Sequence, residues 1–240
     1  MSGHSRWAKL KHFKGVLDAK KGALFSKISQ AISVAAREGP DPETNFKLRL
    51  AIEKAKQANM PKENIERAIK RGTGELGGEK IEEVIFEVYG PGNSAIIIEA
   101  ITDNKNRTMA NLRRILNQCG GTMGGSNSVL WMFKRRGIMR ITNFIKQIEN
   151  LENFELQIID QGAEDIKEEG DELVIYTLPE NLQKIKEFIE SKGIKIDYAE
   201  IEWFANNQIK ISPEDQKKVD ALFAALDEDP DVSDYYTNIQ

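Results

Sequence analysis

Residues 137–205 read GIMRITNFIKQIENLENFELQIIDQGAEDIKEEGDELVIYTLPENLQKIKEFIESKGIKIDYAEIEWFA. Ile138 to Ile141 reads as a strand and Phe144 to Ile159 as a helix. Glu164 to Lys167 and Leu173 to Leu178 read as two strands, Leu182 to Ser191 as a second helix and Ile194 to Phe204 as a last strand. The order β-α-β-β-α-β is the ferredoxin-like arrangement, an antiparallel sheet with two helices on one face.

The flanks of this stretch are incomplete by themselves. Upstream, Val84, Phe86 and Val88 alternate with more polar neighbours, and Ala95 to Ile101 is a β-branched run. Gly90, Pro91 and Gly92 lie between them and predict an antiparallel hairpin. A helix carrying Met109, Leu112 and Leu116 ends at Cys119 and Gly120; a Gly-rich loop runs to Ser128, and Val129 to Phe133 reads as a strand. Downstream, Gln208 to Ile211 reads as a strand. Ser212 and Pro213 open a helix with Val219, Leu222, Phe223 and Leu226 on one stripe, and Val232 to Ile239 closes the chain as a strand. Joining the two flanks gives one α+β domain, 79–136 plus 206–240, with 137–205 inserted into it.

Residues 1–78 have a different grammar. Phe25, Ile28, Ile32 and Ala35 recur at helical spacing, as do Leu48, Ala51, Ala55 and Ala58, and then Ile65, Ala68 and Ile69. Asp41 with Pro42 predicts the start of the second helix, Pro61 opens the third, and Gly72 and Gly74 close it. The fold class expected is α+β and multidomain, with an N-terminal helical domain first.

Charge is distributed unevenly. The chain of 240 residues has 34 Lys/Arg and 38 Asp/Glu, a net −4, yet residues 1–72 hold 16 basic and 7 acidic side chains. Residues 142–240 hold 9 basic and 24 acidic ones, which would repel phosphate; solubility and contact with basic proteins, such as ribosomal proteins, are the roles open to them. The basic end begins with an arm bearing Arg6, Lys9, Lys11, Lys14, Lys20, Lys21 and Lys27, interleaved with Trp7, His12 and Phe13. Cations pair phosphates and rings stack on bases, so the arm reads as a nucleic-acid contact. Its alternative is a solvated arm whose Trp7, Leu10 and Phe13 pack on the helices. Arg37, Lys54, Lys70 and Arg71 extend the basic surface. Residues 103–141 carry eight basic side chains and one acid, Asp103, with Lys105 and Arg107 at a helix start where an anion would bind or where Asp103 or Asn106 caps instead.

Much chemistry is absent from the sequence. No P-loop, G-x-S-x-G, H-E-x-x-H or C-x-x-C motif occurs. Gly120 to Ser128 has glycines that would expose backbone N–H groups to an anion, but no Lys follows, and a flexible loop is expected. One cysteine, Cys119, and two histidines, His4 and His12, leave no metal set, so neither catalysis nor a cofactor is expected. A cytoplasmic location is expected, because no apolar run approaches the roughly 20 residues of a membrane span. A monomer is expected too, since no dimer seam is evident.

Several stretches resemble a known family. MSGHSRWAKLKHFKG, DAKKGALFSKISQAI, DPETN, NMPKENIERAIKRGTGE, YGPG and TDNKNRT are similar to the YebC/PmpR family of probable transcriptional regulatory proteins, which includes the mitochondrial translational activator of cytochrome c oxidase. The resemblance implies a helical N-terminal domain and two ferredoxin-like domains, one inserted in the other, with no catalytic site. It implies one of two activities: DNA-binding control of transcription, or action at the ribosome that helps translation through proline-rich stretches. Departures from the family pattern are Phe46, Asn93 and the loop Gly124 to Asn127. A basic aromatic arm without a base-reading helix ranks ribosomal RNA first as partner, duplex DNA second and a protein-interaction scaffold third.

Overall fold

The computed structural model describes residues 18–77 and 81–240, with side chains from residue 22 onward. Its first elements are α1 (Asp18–Ala35), α2 (Phe46–Gln57), α3 (Lys62–Gly72), β1 (Glu82–Gly90), β2 (Ser94–Thr102), α4 (Lys105–Cys119), β3 (Thr122–Met123) and β4 (Phe133–Thr142). Next come α5 (Phe144–Gln147), α6 (Leu151–Asp160), β5 (Ala163–Glu169), β6 (Glu172–Thr177), α7 (Leu182–Ser191), β7 (Tyr198–Ala205), α8 (Pro213–Glu228) and β8 (Val232–Thr237). They divide into two units, Met1–Phe133 with Ala205–Gln240, and Lys134–Phe204.

In the first unit, α1 to α3 bury the stripes their periodicity sets out: Ile28, Ile32, Ala35, Leu48, Ala55, Ile65 and Ala68 form one core, with Met60 at the turn. Two close contacts join α1 to α3. The Ser33 hydroxyl donates to the Ala68 carbonyl at 2.7 Å. A Cβ on Gly72 would stand 2.2 Å from the Ser33 carbonyl oxygen, so any larger residue would force the helices apart.

The sheet of this unit has the order β3-β1-β2-β8. β1 and β2 pair antiparallel from Glu82↔Thr102 to Gly90↔Ser94, around a turn in which Gly92 and Asn93 have φ of 67° and 58°. Val84, Phe86 and Val88 of β1 and Ile96, Ile98 and Ala100 of β2 bury one face against Leu112 and Leu116 of α4 and Leu222 and Leu226 of α8. Each fully buried aliphatic side chain contributes about 1.5–3 kcal/mol. The second unit has the order β5-β6-β4-β7, the ferredoxin-like sequence of strands, with Phe154 and Ile158 of α6 and Ile185 and Ile189 of α7 buried.

Several local expectations are corrected. Asp41 does not cap α2: its side chain accepts from the Glu43 N–H and its carbonyl from Thr44 and Asn45, which makes a separate turn. The cap is Asn45, whose side chain accepts from the Leu48 N–H at 3.0 Å and donates to the Ala35 and Gly39 carbonyls. Val129 to Phe133 is not a strand but a 3-10 turn over Leu130–Met132 leading into β4. The helix expected from Phe144 to Ile159 breaks into α5 and α6, because Asn150 caps a new start by accepting from Asn153. β7 begins only at Tyr198. Gln208 to Ile211 supplies a single parallel bridge, Ile209↔Ile239, rather than a strand.

Arg140, counted among the basic residues of 103–141, is 1% exposed on β4 and pairs with Glu169 at 2.9 Å and Glu172 at 3.0 Å. It is therefore a core ion cluster and no part of a surface patch. Arg140→Ala is expected to leave two carboxylates without their cation and to cost about 3–5 kcal/mol in urea denaturation, whereas an exposed Lys→Ala control such as Lys192→Ala should change little.

Candidate nucleic-acid interface

Arg6, Trp7, Lys9, Lys11, His12 and Lys14 lie outside the described residues, as do the side chains of Lys20 and Lys21. The remaining candidates are spread over separate elements. Lys27 is half-buried on α1 and donates its Nζ–H to the Asp227 carbonyl at 2.9 Å, a link to the end of α8. Lys54 is half-buried on α2 and already interacts within the fold. Arg37, in the turn after α1, is exposed, as are Lys70 and Arg71 in the last turn of α3.

Ion pairs separate these cations into two kinds. Lys47 meets Glu83 at 2.8 Å and Glu38 at 3.7 Å, and Lys62 meets Glu66 at 3.5 Å. By contrast, among the described residues Arg37, Arg67, Lys70 and Arg71 meet no carboxylate. Arg67 and Arg71 stand one turn apart on α3 and face a groove of 310 Å³ between α1 and α3. Phe25, Ser26, Ser29 and Gln30 of α1 and Asn64 and Ala68 of α3 also line it. The groove thus brings Arg71 together with Arg67 and Asn64, and with Ser26 and Gln30, which composition and charge runs alone do not single out. Their signal was the i, i+3, i+4 recurrence of Ser26 and Gln30 on one helix and of Asn64, Arg67 and Arg71 on the other.

The second cluster resolves differently. Asn104 caps α4 by accepting from the Arg107 N–H at 3.0 Å, so neither Asp103 nor Asn106 does. The Arg107 guanidinium meets Asp103 at 2.8 Å and Asp231 at 3.0 Å. The Asp231 hydrogen bond, its charge and that of Asp103 raise the Arg107 pKa against a smaller opposing effect of burial. Thr108 donates to the same Asp231 at 2.7 Å. Two carboxylates therefore already occupy the cation, and the polar loop Thr102 to Thr108 ties α4 to the start of β8. Lys105 is exposed beside it without an ion pair among the described residues.

The Gly-rich loop does hold an anion, but an internal one. The Glu87 carboxylate, 8% exposed, accepts from the backbone N–H groups of Val129 and Leu130 at 2.7 Å each and from that of Asn127. Burial pushes its pKa up, and the backbone donors outweigh it, so the carboxyl is held below its ordinary range. Tyr89 and the exposed Trp131 then donate to the Ser128 carbonyl at 3.2 and 3.1 Å. The loop is pinned and offers no empty cradle to phosphate.

A helical module with a groove whose two arginines meet no carboxylate among the described residues, joined to two four-stranded antiparallel sheets with helices, defines an α+β protein. Among the described residues no cluster of His, Cys, Asp or Glu is placed to hold a metal, and no helix is long and apolar enough to cross a membrane. The chain belongs to the TACO1/YebC family: residues 5–75 match the TACO1/YebC protein N-terminal domain and residues 81–239 the TACO1/YebC second and third domain. It is 50% identical to a probable transcriptional regulatory protein of Caldanaerobacter subterraneus over 100% of this chain and 98% of that one. A protein of the same name from Thermotoga maritima is 46% identical over 100% of this chain and 94% of its own. The crystal structure of a conserved hypothetical protein from Aquifex aeolicus superposes with a TM-score of 0.81 at 44% identity, covering 93% of this chain and 91% of that one.

Glu87→Gln is expected to cost about 1–3 kcal/mol, since an amide cannot satisfy the same set of backbone donors. Because the folded pKa is depressed, the carboxylate's contribution is present above the ordinary glutamate range and disappears as pH falls through the lowered value. Unfolding curves of the two proteins should differ most near neutral pH and converge only once pH has fallen through the lowered pKa of the folded protein. For Arg107→Ala the expected outcome is a lower unfolding midpoint with an unchanged salt dependence of nucleic-acid binding; a changed salt dependence would make Arg107 a phosphate contact.

Proposed function

We propose that the protein is a non-enzymatic regulator of gene expression that binds RNA and acts at the ribosome, where it relieves stalling on proline-rich stretches. The observation that carries the RNA-binding part is the pair Arg67 and Arg71, which face a polar groove and meet no carboxylate among the described residues. Guanidinium groups left unpaired beside hydroxyls and carboxamides suit phosphate and base edges together. The basic arm, with Trp7, His12 and Phe13 among its lysines, lies just before α1 in the sequence and extends the same chemistry. The acidic character of residues 142–240 suits contact with basic ribosomal proteins, and the step at proline-rich stretches comes from family resemblance.

A second reading is a DNA-binding transcriptional regulator, favoured by the names of the relatives in Caldanaerobacter and Thermotoga. Salt titrations of binding to ribosomes and to duplex DNA separate the two. Ribosome binding should be tighter at physiological salt. Charge reversal of Lys9, Lys11 and Lys14 together should weaken it and flatten the log-log slope by about 0.7 for each single-strand phosphate no longer neutralised. Tighter, sequence-dependent binding of duplex DNA would establish the transcriptional reading instead.

A further inference from the structure

The geometry points to the groove between α1 and α3 as a site for one unstacked nucleotide of single-stranded RNA, base inside and phosphate at the arginines. This rests on the nucleic-acid reading above and adds which part of the polymer enters the protein, and where.

The lining chooses among ligands. A site for phosphate alone needs donors only, because every phosphate oxygen accepts. Here Gln30 and Asn64 bring carboxamides, each with two donors and an acceptor, and neither makes a side-chain hydrogen bond among the described residues. A nucleobase edge also alternates donors and acceptors, so carboxamides match it as phosphate does not. Phe25 packs partly on the helical core and also lines the groove, so the part of its ring left exposed is the surface on which a base would stack. Arg67 and Arg71, one turn apart, supply two guanidinium forks for the adjoining phosphate, and the Ser26 hydroxyl can serve the sugar or the phosphate.

Size agrees with composition. At 310 Å³ the groove stands at the lower edge of the roughly 300–1,000 Å³ typical of ligand sites, which suits one nucleotide and not an extended cofactor. The Ser33 to Ala68 hydrogen bond and the Gly72 contact join its two helices closely. A base enters such a slot only when it is free of its stack. Single-stranded RNA presents bases in that state, and an intact duplex does not.

The test uses the full chain and fluorescence anisotropy with labelled oligoadenylate and oligouridylate, and with a labelled DNA duplex. Phe25→Leu should weaken RNA binding about fivefold or more. Gln30→Ala with Asn64→Ala should weaken it and alter the preference between the two oligonucleotides, while leaving the salt slope unchanged, since carboxamides release no counterions. Arg67→Ala with Arg71→Ala should weaken it and flatten the slope by about 0.7 for each phosphate the arginines no longer neutralise. Asn64→Leu, close to the native residue in volume and uncharged, repeats the test without a loss of volume, and circular dichroism checks each variant's helices. Unchanged RNA binding in the Phe25 and carboxamide variants, with loss only in the arginine variants, would overturn the base site and leave a phosphate site. Full binding in all groove variants, with loss only when Lys9, Lys11 and Lys14 are reversed, would overturn the groove and leave the RNA-binding reading intact. Absence of binding to every probe and to ribosomes would overturn both.

Discussion

The pairing of β8 with β2 is the contact on which the larger architecture depends. Ile96 to Ala100 pair with Val232 to Thr237, so the first sheet is complete only when the end of the chain returns to it. Without β8, β2 would be an exposed edge rich in isoleucine, the kind of edge that invites association. Three further links secure the return: the Ile101 N–H donates to the Asp231 carbonyl at 2.8 Å, the Asn238 side chain accepts from the Ala95 N–H at 2.9 Å, and Arg107 and Thr108 hold the Asp231 carboxylate. The same pairing makes room for a second unit. The chain departs after Phe133 and returns at Ala205, and the Asn206 N–H meets the Met132 carbonyl at 2.8 Å, so the two ends of the inserted segment are adjacent. Loop closure costs only about 0.6 kcal/mol for each doubling of length, and a folded insert with neighbouring ends is accordingly tolerated.

Charge follows a rule that separates scaffold from site. Within the α+β parts, three ionic groups find internal partners: Glu87 in backbone N–H groups, Arg107 in Asp103 and Asp231, Arg140 in Glu169 and Glu172. A buried charge that lacked such partners would cost several kcal/mol, so the arrangements at Glu87 and Arg140 are conditions of folding, whereas Arg107 is exposed to water. Arg67 and Arg71 are exempt because water solvates them, and nothing in the folding of α3 requires them to be arginine. Their placement in one groove, opposite Gln30 and Asn64, whose side chains make no hydrogen bond among the described residues, therefore asks for an explanation outside the fold. Net charge conceals this, since −4 over the whole chain is the sum of a basic end and an acidic remainder.

How much of this was legible depends on how local each cause is. The stripes of α1 to α3 and the alternation in β1 are written in spacing alone, and the core that forms uses them directly. The order of strands 137–205 likewise specifies the second unit, because a β-α-β-β-α-β order leaves few antiparallel arrangements. Caps were less legible: Asp41 and Asn45 are both competent, and the choice fell to Asn45 because it alone also reaches the Ala35 and Gly39 carbonyls. Val129 to Phe133 has the composition of a strand. The N–H groups of Val129 and Leu130 are instead taken by Glu87, some forty positions earlier, and no local pattern announces a carboxylate from so far away. The groove was legible only in part, since its cations belong to a recognisable basic segment while Gln30 and Ser26 have no meaning until α1 and α3 are side by side.

That juxtaposition also bears on the choice between polymers. A helix that reads duplex DNA lays an outward face of side chains into a major groove about 12 Å wide. On α3 the residues equipped for such reading, Asn64, Arg67 and Arg71, turn toward α1 and share a groove with it. The outward positions Glu63 and Glu66 are acidic and would meet phosphate with repulsion. The Ser33 to Ala68 hydrogen bond and the close packing at Gly72 hold α3 against α1, so any base reading by Asn64 has to take place beside α1. A single strand can meet that condition, because its bases can come to the groove instead of the helix going to the bases. Helix packing in the N-terminal module is therefore one support for the single-strand reading proposed above.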